Sequence, residues 1–125
     1  MAKITGIGGI FFKARDPKAL AVWYRDVLGL EIEDWNGAML RYDAPGHPPH
    51  TVWCPFDART DYFAPSKTSF MLNFAVDDMA AFLAGLEAKG VTVLDRKEEV
   101  YGPFAWIMDT EGNKIELWQP VKPPG

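Results

Sequence analysis

Glu116 is the residue in this 125-residue chain best suited to chemistry: a carboxylate two residues before Trp118, facing Trp106 across a predicted hairpin. A carboxyl group held among rings and away from cations is a natural proton donor or acceptor. Asn73 and Thr51, on other predicted strands, supply neutral groups able to hydrogen-bond a substrate oxygen as it gains charge. Phe11, Trp53, Trp106 and Trp118 could line a cleft for a flat molecule, and Asp61 and Tyr62 add an acid and a ring from a loop. Each feature also has a plainer account. Glu116 could pair with Lys13 or with backbone, the rings could fill ordinary core, and the loop could pack on the surface.

Other reactive side chains carry less. Cys54 is the single cysteine, so no internal disulfide forms, and in Val52-Trp53-Cys54-Pro55 it reads as a small hydrophobe rather than a nucleophile beside a base. In His47-Pro48-Pro49-His50 the prolines extend the chain and no third ligand completes a metal set. His50 is expected to point away from a cleft that Thr51 points into. A net charge of -4 with no basic stripe argues against a nucleic-acid partner. The longest apolar runs, such as 7–12, are too short and glycine-broken for a membrane span or a secretory leader. The expectation is therefore a cytoplasmic protein without a membrane partner.

These residues need elements to hold them. Residues 7–14 read as a strand, with Phe11 and Lys13 on one face and Ile10 and Phe12 on the other. Asp16-Pro17 then opens a helix, carried by Leu20, Trp23, Tyr24, Val27 and Leu28 and closed by Gly29. Short strands are predicted at 30–33, 37–42 and 50–53. The pattern returns after roughly 60 residues, a spacing suited to a duplicated half-domain. Residues 71–78 align with 9–16, and Met79, Phe82, Leu83 and Leu86 form a second amphipathic helix ended by Gly90. Residues 104–120 then form the hairpin that carries Glu116. Its turn, Asp109-Thr110-Glu111-Gly112-Asn113, relies on positive φ at Gly112 and Asn113. Period two puts Met71, Asn73, Glu116 and Trp118 on a face the helices leave uncovered.

The sequence resembles the vicinal oxygen chelate superfamily, the group of glyoxalases, bleomycin-resistance proteins and extradiol dioxygenases. The resemblance rests on Phe12-Lys13-Ala14-Arg15-Asp16-Pro17, on Trp23-Tyr24-Arg25-Asp26-Val27-Leu28-Gly29-Leu30, on Asn73-Phe74-Ala75-Val76-Asp77-Asp78 and on 109–117. It implies an α+β fold of two βαβββ modules forming curved mixed sheets around a cleft. On that basis residues 1–125 form one domain, with modules at 4–55 and 69–120, a linker at 56–68 and a short tail at 121–125. A homodimer is implied as well.

Metal-dependent members of that superfamily place ligands on the first and last strand of each module. Those positions here read Gly9, Thr51, Met71 and Glu116, of which Glu116 alone suits a divalent ion. No metal or other cofactor is therefore expected, and glyoxalase or dioxygenase chemistry through a metal is disfavoured. Two functions remain for a small aromatic or oxygenated ligand. One is a metal-independent lyase or isomerase using Glu116 as general acid or base. The other is a non-catalytic, resistance-type protein that sequesters a drug or metabolite.

Overall fold

The computed structural model describes residues 2–121. The tail expected at 121–125 lies outside the described residues apart from Val121. The regular elements, in chain order, are α1 (Pro17–Leu28), β1 (Leu72–Ala75), α2 (Met79–Ala88), β2 (Asp95–Glu99), β3 (Gly102–Met108) and β4 (Lys114–Trp118). The strands form one mixed sheet in the order β1-β4-β3-β2. β1 runs parallel to β4, and the other pairs are antiparallel.

Both helices start where an aspartate can cap them. The Asp16 carboxylate accepts from the Ala19 amide, with Pro17 at the first helical position, and the Asp78 carboxylate accepts from the Ala81 amide. Gly29 ends α1 at φ 80° and Gly90 follows α2 at φ 82°, a conformation that costs glycine little. Both helices lie on the same face of the sheet. Leu20 and Tyr24 from α1 and Met79, Leu83 and Leu86 from α2 share one core with Leu72, Ala105, Ile107, Ile115 and Leu117. β2 is an exposed edge whose residues, Asp95 to Glu99, are all charged, which discourages pairing with other chains.

The turn between β3 and β4 does more than reverse the chain. Asp109 Oδ1 accepts from the Glu111 and Asn113 amides at 2.8 and 3.0 Å. Its Oδ2 accepts from Asn113 Nδ2 and the Tyr24 hydroxyl, both at 2.7 Å. Glu111 meanwhile accepts from the backbone amides of Arg15 and Asp16 at 2.7 and 2.9 Å, at the start of α1. The turn is thus the seat on which α1 docks. Gly112 takes positive φ, 81°, as expected, but Asn113 does not; it contributes its side chain to Asp109 instead.

The second half forms β1, β3 and β4 where the alternation predicts strands, and adds β2, which no alternation marked. The first half differs: none of the strands expected at 7–14, 30–33, 37–42 and 50–53 joins a sheet. Its one regular element among the described residues, α1, packs on the second-half sheet rather than on a sheet of its own. The physical reason is that β-branched and aromatic residues favour a strand only where a neighbour supplies the ladder and a surface to pack on. Here Phe11 is 94% exposed and Trp53 78% exposed.

Candidate functional site

The face of the sheet opposite the helices is built by strict alternation. On β3, Ala105 and Ile107 point to the core and Phe104 and Trp106 to the other side; on β4, Ile115 and Leu117 face the core and Lys114, Glu116 and Trp118 do not. Register sets the rest. Asn73 on β1 and Trp106 on β3 both stand directly opposite Glu116, and Phe104 stands opposite Trp118. Direct cross-strand partners lie within side-chain reach, and the polar ones meet at the carboxylate.

Glu116 is buried and accepts three hydrogen bonds from neutral donors. Asn73 Nδ2 donates to Oε1 at 2.7 Å. Trp106 Nε1 and the Tyr62 hydroxyl donate to Oε2 at 2.9 and 2.5 Å. None of the ion pairs among the described residues includes Glu116, and Lys13 is exposed. Burial, followed by the hydrogen bond to Glu116 and its charge, pushes the Tyr62 phenol up from its ordinary range.

The rings form a row beside this carboxylate. Phe104 lies 6.2 Å from Trp106 and 6.4 Å from Trp118, centroid to centroid, with interplanar angles of 17° and 22°. Trp118 Nε1 donates to the Tyr101 carbonyl at 2.7 Å, which fixes its plane. Tyr62 meets Trp106 edge-on at 6.2 Å and stacks on Phe56 at 5.5 Å. Tyr62 arrives from the segment between the two halves, which crosses this face and is tied down twice more. Lys114 Nζ donates to the Tyr62 carbonyl at 2.7 Å, and Ser66 Oγ donates to the Gly112 carbonyl at 2.6 Å. The Lys114 ammonium also sits 5.4 Å from the Tyr62 ring centroid and 5.8 Å from that of Trp106, within cation–π range.

Of the residues singled out from sequence, Glu116, Asn73, Trp106, Trp118 and Tyr62 come together. Phe11, Thr51, Trp53 and Asp61 do not; all four are exposed, the first three on segments that never enter the sheet. His50 departs from expectation in the other direction, because its ring lies 6.1 Å from that of Trp118. Lys114 and Phe56 belong to the site without having been anticipated. Lys114 was legible by period two, since it precedes Glu116 by two residues on one strand; Phe56 carried no periodic signal.

The arrangement does not suit a divalent ion. Both Glu116 oxygens already accept N–H or O–H donors, and the matching positions Gly9, Thr51 and Met71 offer no strong ligand. Among the described residues no group of three or more His, Cys, Asp or Glu could hold a metal. What the face can do chemically is stack a flat molecule and read a hydrogen-bond donor or a positive charge beside it.

Comparison with known proteins agrees with the fold. The chain is similar to the antibiotic binding protein TnmS3 from Streptomyces sp. CB03234, with 22% identity, 97% of this chain and 100% of that one covered, and a TM-score of 0.64. It is similar to a protein from the mobile metagenome of V. Pseudocholerae, at 17% identity, coverages of 98% and 99% and a TM-score of 0.61. A lactoylglutathione lyase from Agrobacterium tumefaciens aligns at 23% identity, with coverages of 92% and 96% and a TM-score of 0.54. No curated protein matches the chain. A family model described as a glyoxalase-like domain matches residues 9–118, and the chain therefore belongs to the glyoxalase-like domain family, within the vicinal oxygen chelate superfamily.

Proposed function

We propose that this protein binds a small, flat aromatic molecule on the row formed by Trp106, Phe104 and Trp118, and that it sequesters the molecule rather than transforming it. The observation that carries this is the pairing of three near-parallel rings with a buried carboxylate whose hydrogen-bonding partners are all neutral. One similar structure is that of an antibiotic binding protein, which supports a small-molecule ligand. A general base needs a free lone pair directed at its substrate, and three donors already compete for those of Glu116. The proposal includes no resident metal or other cofactor.

A second function is supported by Asn73, which lies 2.7 Å from Glu116 and could steady a substrate oxygen while Glu116 moves a proton. In that case the protein is a metal-independent lyase or isomerase; one similar structure is a lyase by name. Glu116→Gln separates the two. For a sequestering protein it weakens ligand binding, and no product forms with either chain; for an enzyme it spares affinity and abolishes turnover.

We also propose that the protein works as a homodimer in the cytoplasm, without a nucleic-acid or membrane partner. Ile10, Phe11, Met39, Leu40, Val52 and Trp53 are each 60% exposed or more, an apolar content a second copy could cover. On that view the extended segments of the first half complete the βαβββ module expected at 4–55 when two chains meet. Light scattering after gel filtration should return twice the 14.0 kDa chain mass; a monomer at micromolar concentration overturns this part.

A further inference from the structure

The side chain of tyrosine is p-cresol attached to backbone, and Tyr62 occupies the face described above as a bound phenol would. Its hydroxyl donates to Glu116 Oε2, its ring meets the edge of Trp106, Phe56 covers it, and the Lys114 ammonium lies over it. Nothing in regular secondary structure holds it there: the segment from 53 to 71 contains no helix or strand. The segment is held by the Tyr62, Lys114 and Ser66 hydrogen bonds and, at its far end, by Phe70 packed against the core.

We infer that Tyr62 is a resident occupant of a subsite for a hydroxylated aromatic ring, and that the external ligand is a phenol that takes its place on Glu116. This rests on the ring face being the ligand site. The exchange is like for like. A phenol hydroxyl replaces a phenol hydroxyl on Oε2, while Asn73 and Trp106 keep their own bonds to the carboxylate and hold it in position. An aliphatic amine or a ring without a hydrogen-bond donor could not restore both the donor and the edge-on contact with Trp106 that Tyr62 gives up. Apparent affinity for the external phenol is then the intrinsic affinity reduced by the fraction of molecules in which Tyr62 has left.

The test uses p-cresol and its methyl ether, 4-methylanisole, titrated into the full chain by calorimetry. Tyr62→Phe removes the competing hydroxyl but keeps the ring. It is expected to raise p-cresol affinity about ten-fold, as loss of a charge-assisted hydrogen bond implies, and that of 4-methylanisole by the same factor, because either ring must wait for residue 62 to leave; p-cresol stays the tighter ligand in both chains. Ser66→Ala loosens the segment from a distance and should raise p-cresol affinity about three-fold, so the test survives a failure of Tyr62→Phe to fold. Glu116→Gln should bring the two compounds within about two-fold of each other. Equal p-cresol affinity in the parent and both loosened variants overturns the inference, as does a parent that binds 4-methylanisole as tightly as p-cresol. If both compounds bind every variant alike, the hydroxyl is not read and this inference alone falls. If neither binds any variant, the ring face is not a ligand site and the proposed function falls with it.

Discussion

Removing one oxygen from α1 should loosen the whole molecule. Tyr24 and Asp109 are both buried, and the Tyr24 hydroxyl donates to Asp109 Oδ2 at 2.7 Å across 85 residues of sequence. Tyr24→Phe deletes that donor without opening a cavity larger than the oxygen itself. A hydrogen bond to a charged acceptor contributes about 1.5–3 kcal/mol. Here the lower part of that range applies, because Asp109 keeps the Glu111 and Asn113 amides and Asn113 Nδ2, so the carboxylate is not orphaned. A loss of about 1.5–2 kcal/mol lowers Tm by about 6–8 °C in a domain of this size. The pH dependence gives an independent check. Burial first, then the hydrogen bond and charge of Asp109, push the Tyr24 phenol up from its ordinary 10.0, so the folded protein holds that proton more tightly than the unfolded chain. Its contribution is complete below pH 10.0 and is lost as the pH climbs further. The variant should therefore show a shallower fall in stability above that pH, with the remaining slope owed partly to Tyr62, whose phenol is raised in the same sense. Thermal melts followed by circular dichroism from pH 7 to 11 measure both effects. A Tm drop under about 2 °C, with an unchanged alkaline slope, would refute the view that this bond docks α1.

Two further outcomes test the frame that carries the site. Gly102→Ala should cost at least about 2 kcal/mol in urea unfolding, because Gly102 sits at φ 116° and an added Cβ meets the Gln119 carbonyl; a change near zero would mean that β3 shifts freely. Glu111→Gln should speed hydrogen exchange at the Arg15 and Asp16 amides and lower Tm at neutral pH. The Asp16 amide first, and then that of Arg15, hold the Glu111 carboxyl below its usual range. Its contribution is therefore present above the ordinary 4.5 and lost as the pH falls through the folded value, and the melting temperatures of parent and variant should converge in acid.

The parts legible in the sequence are those decided by neighbours along the chain. Asp16-Pro17 and Gly29 bound α1 because capping and φ preference act over one turn. The alternation of Trp106 and Glu116 with Ile107, Ile115 and Leu117 assigned both faces of the hairpin, since period two needs no knowledge of the partner strand. Distant pairing was not legible. Residues 7–14 and 37–42 look like strands, yet a strand is a property of a pair, and nothing local said that the pair would be missing. The same limit hid the seat of α1, which is set by a tyrosine, an aspartate and a glutamate on opposite sides of the chain. β2 escaped for another reason: an edge strand of five charged residues has no apolar period to detect. At the site, the sequence offered Tyr62 as a loop ring near a cleft, but not its hydroxyl as the partner of Glu116, and it offered Phe11, Thr51 and Trp53 where the fold brought His50 and Lys114.

The docking of α1 on the 109–113 turn has a consequence for how the polypeptide can be divided. Contacts spanning 85, 95 and 96 residues hold a helix whose own half supplies no other regular element among the described residues. Toward the sheet, α1 therefore behaves as a tethered guest, and the intervening chain acts mainly as a leash that sets its effective concentration. Because closure entropy grows only with the logarithm of loop length, a longer leash would weaken docking slightly, whereas a severed one would make it depend on the concentration of the two pieces. Two fragments parted within 43–49 would then reassemble by mass action, each returning the half of the clamp that the other lacks.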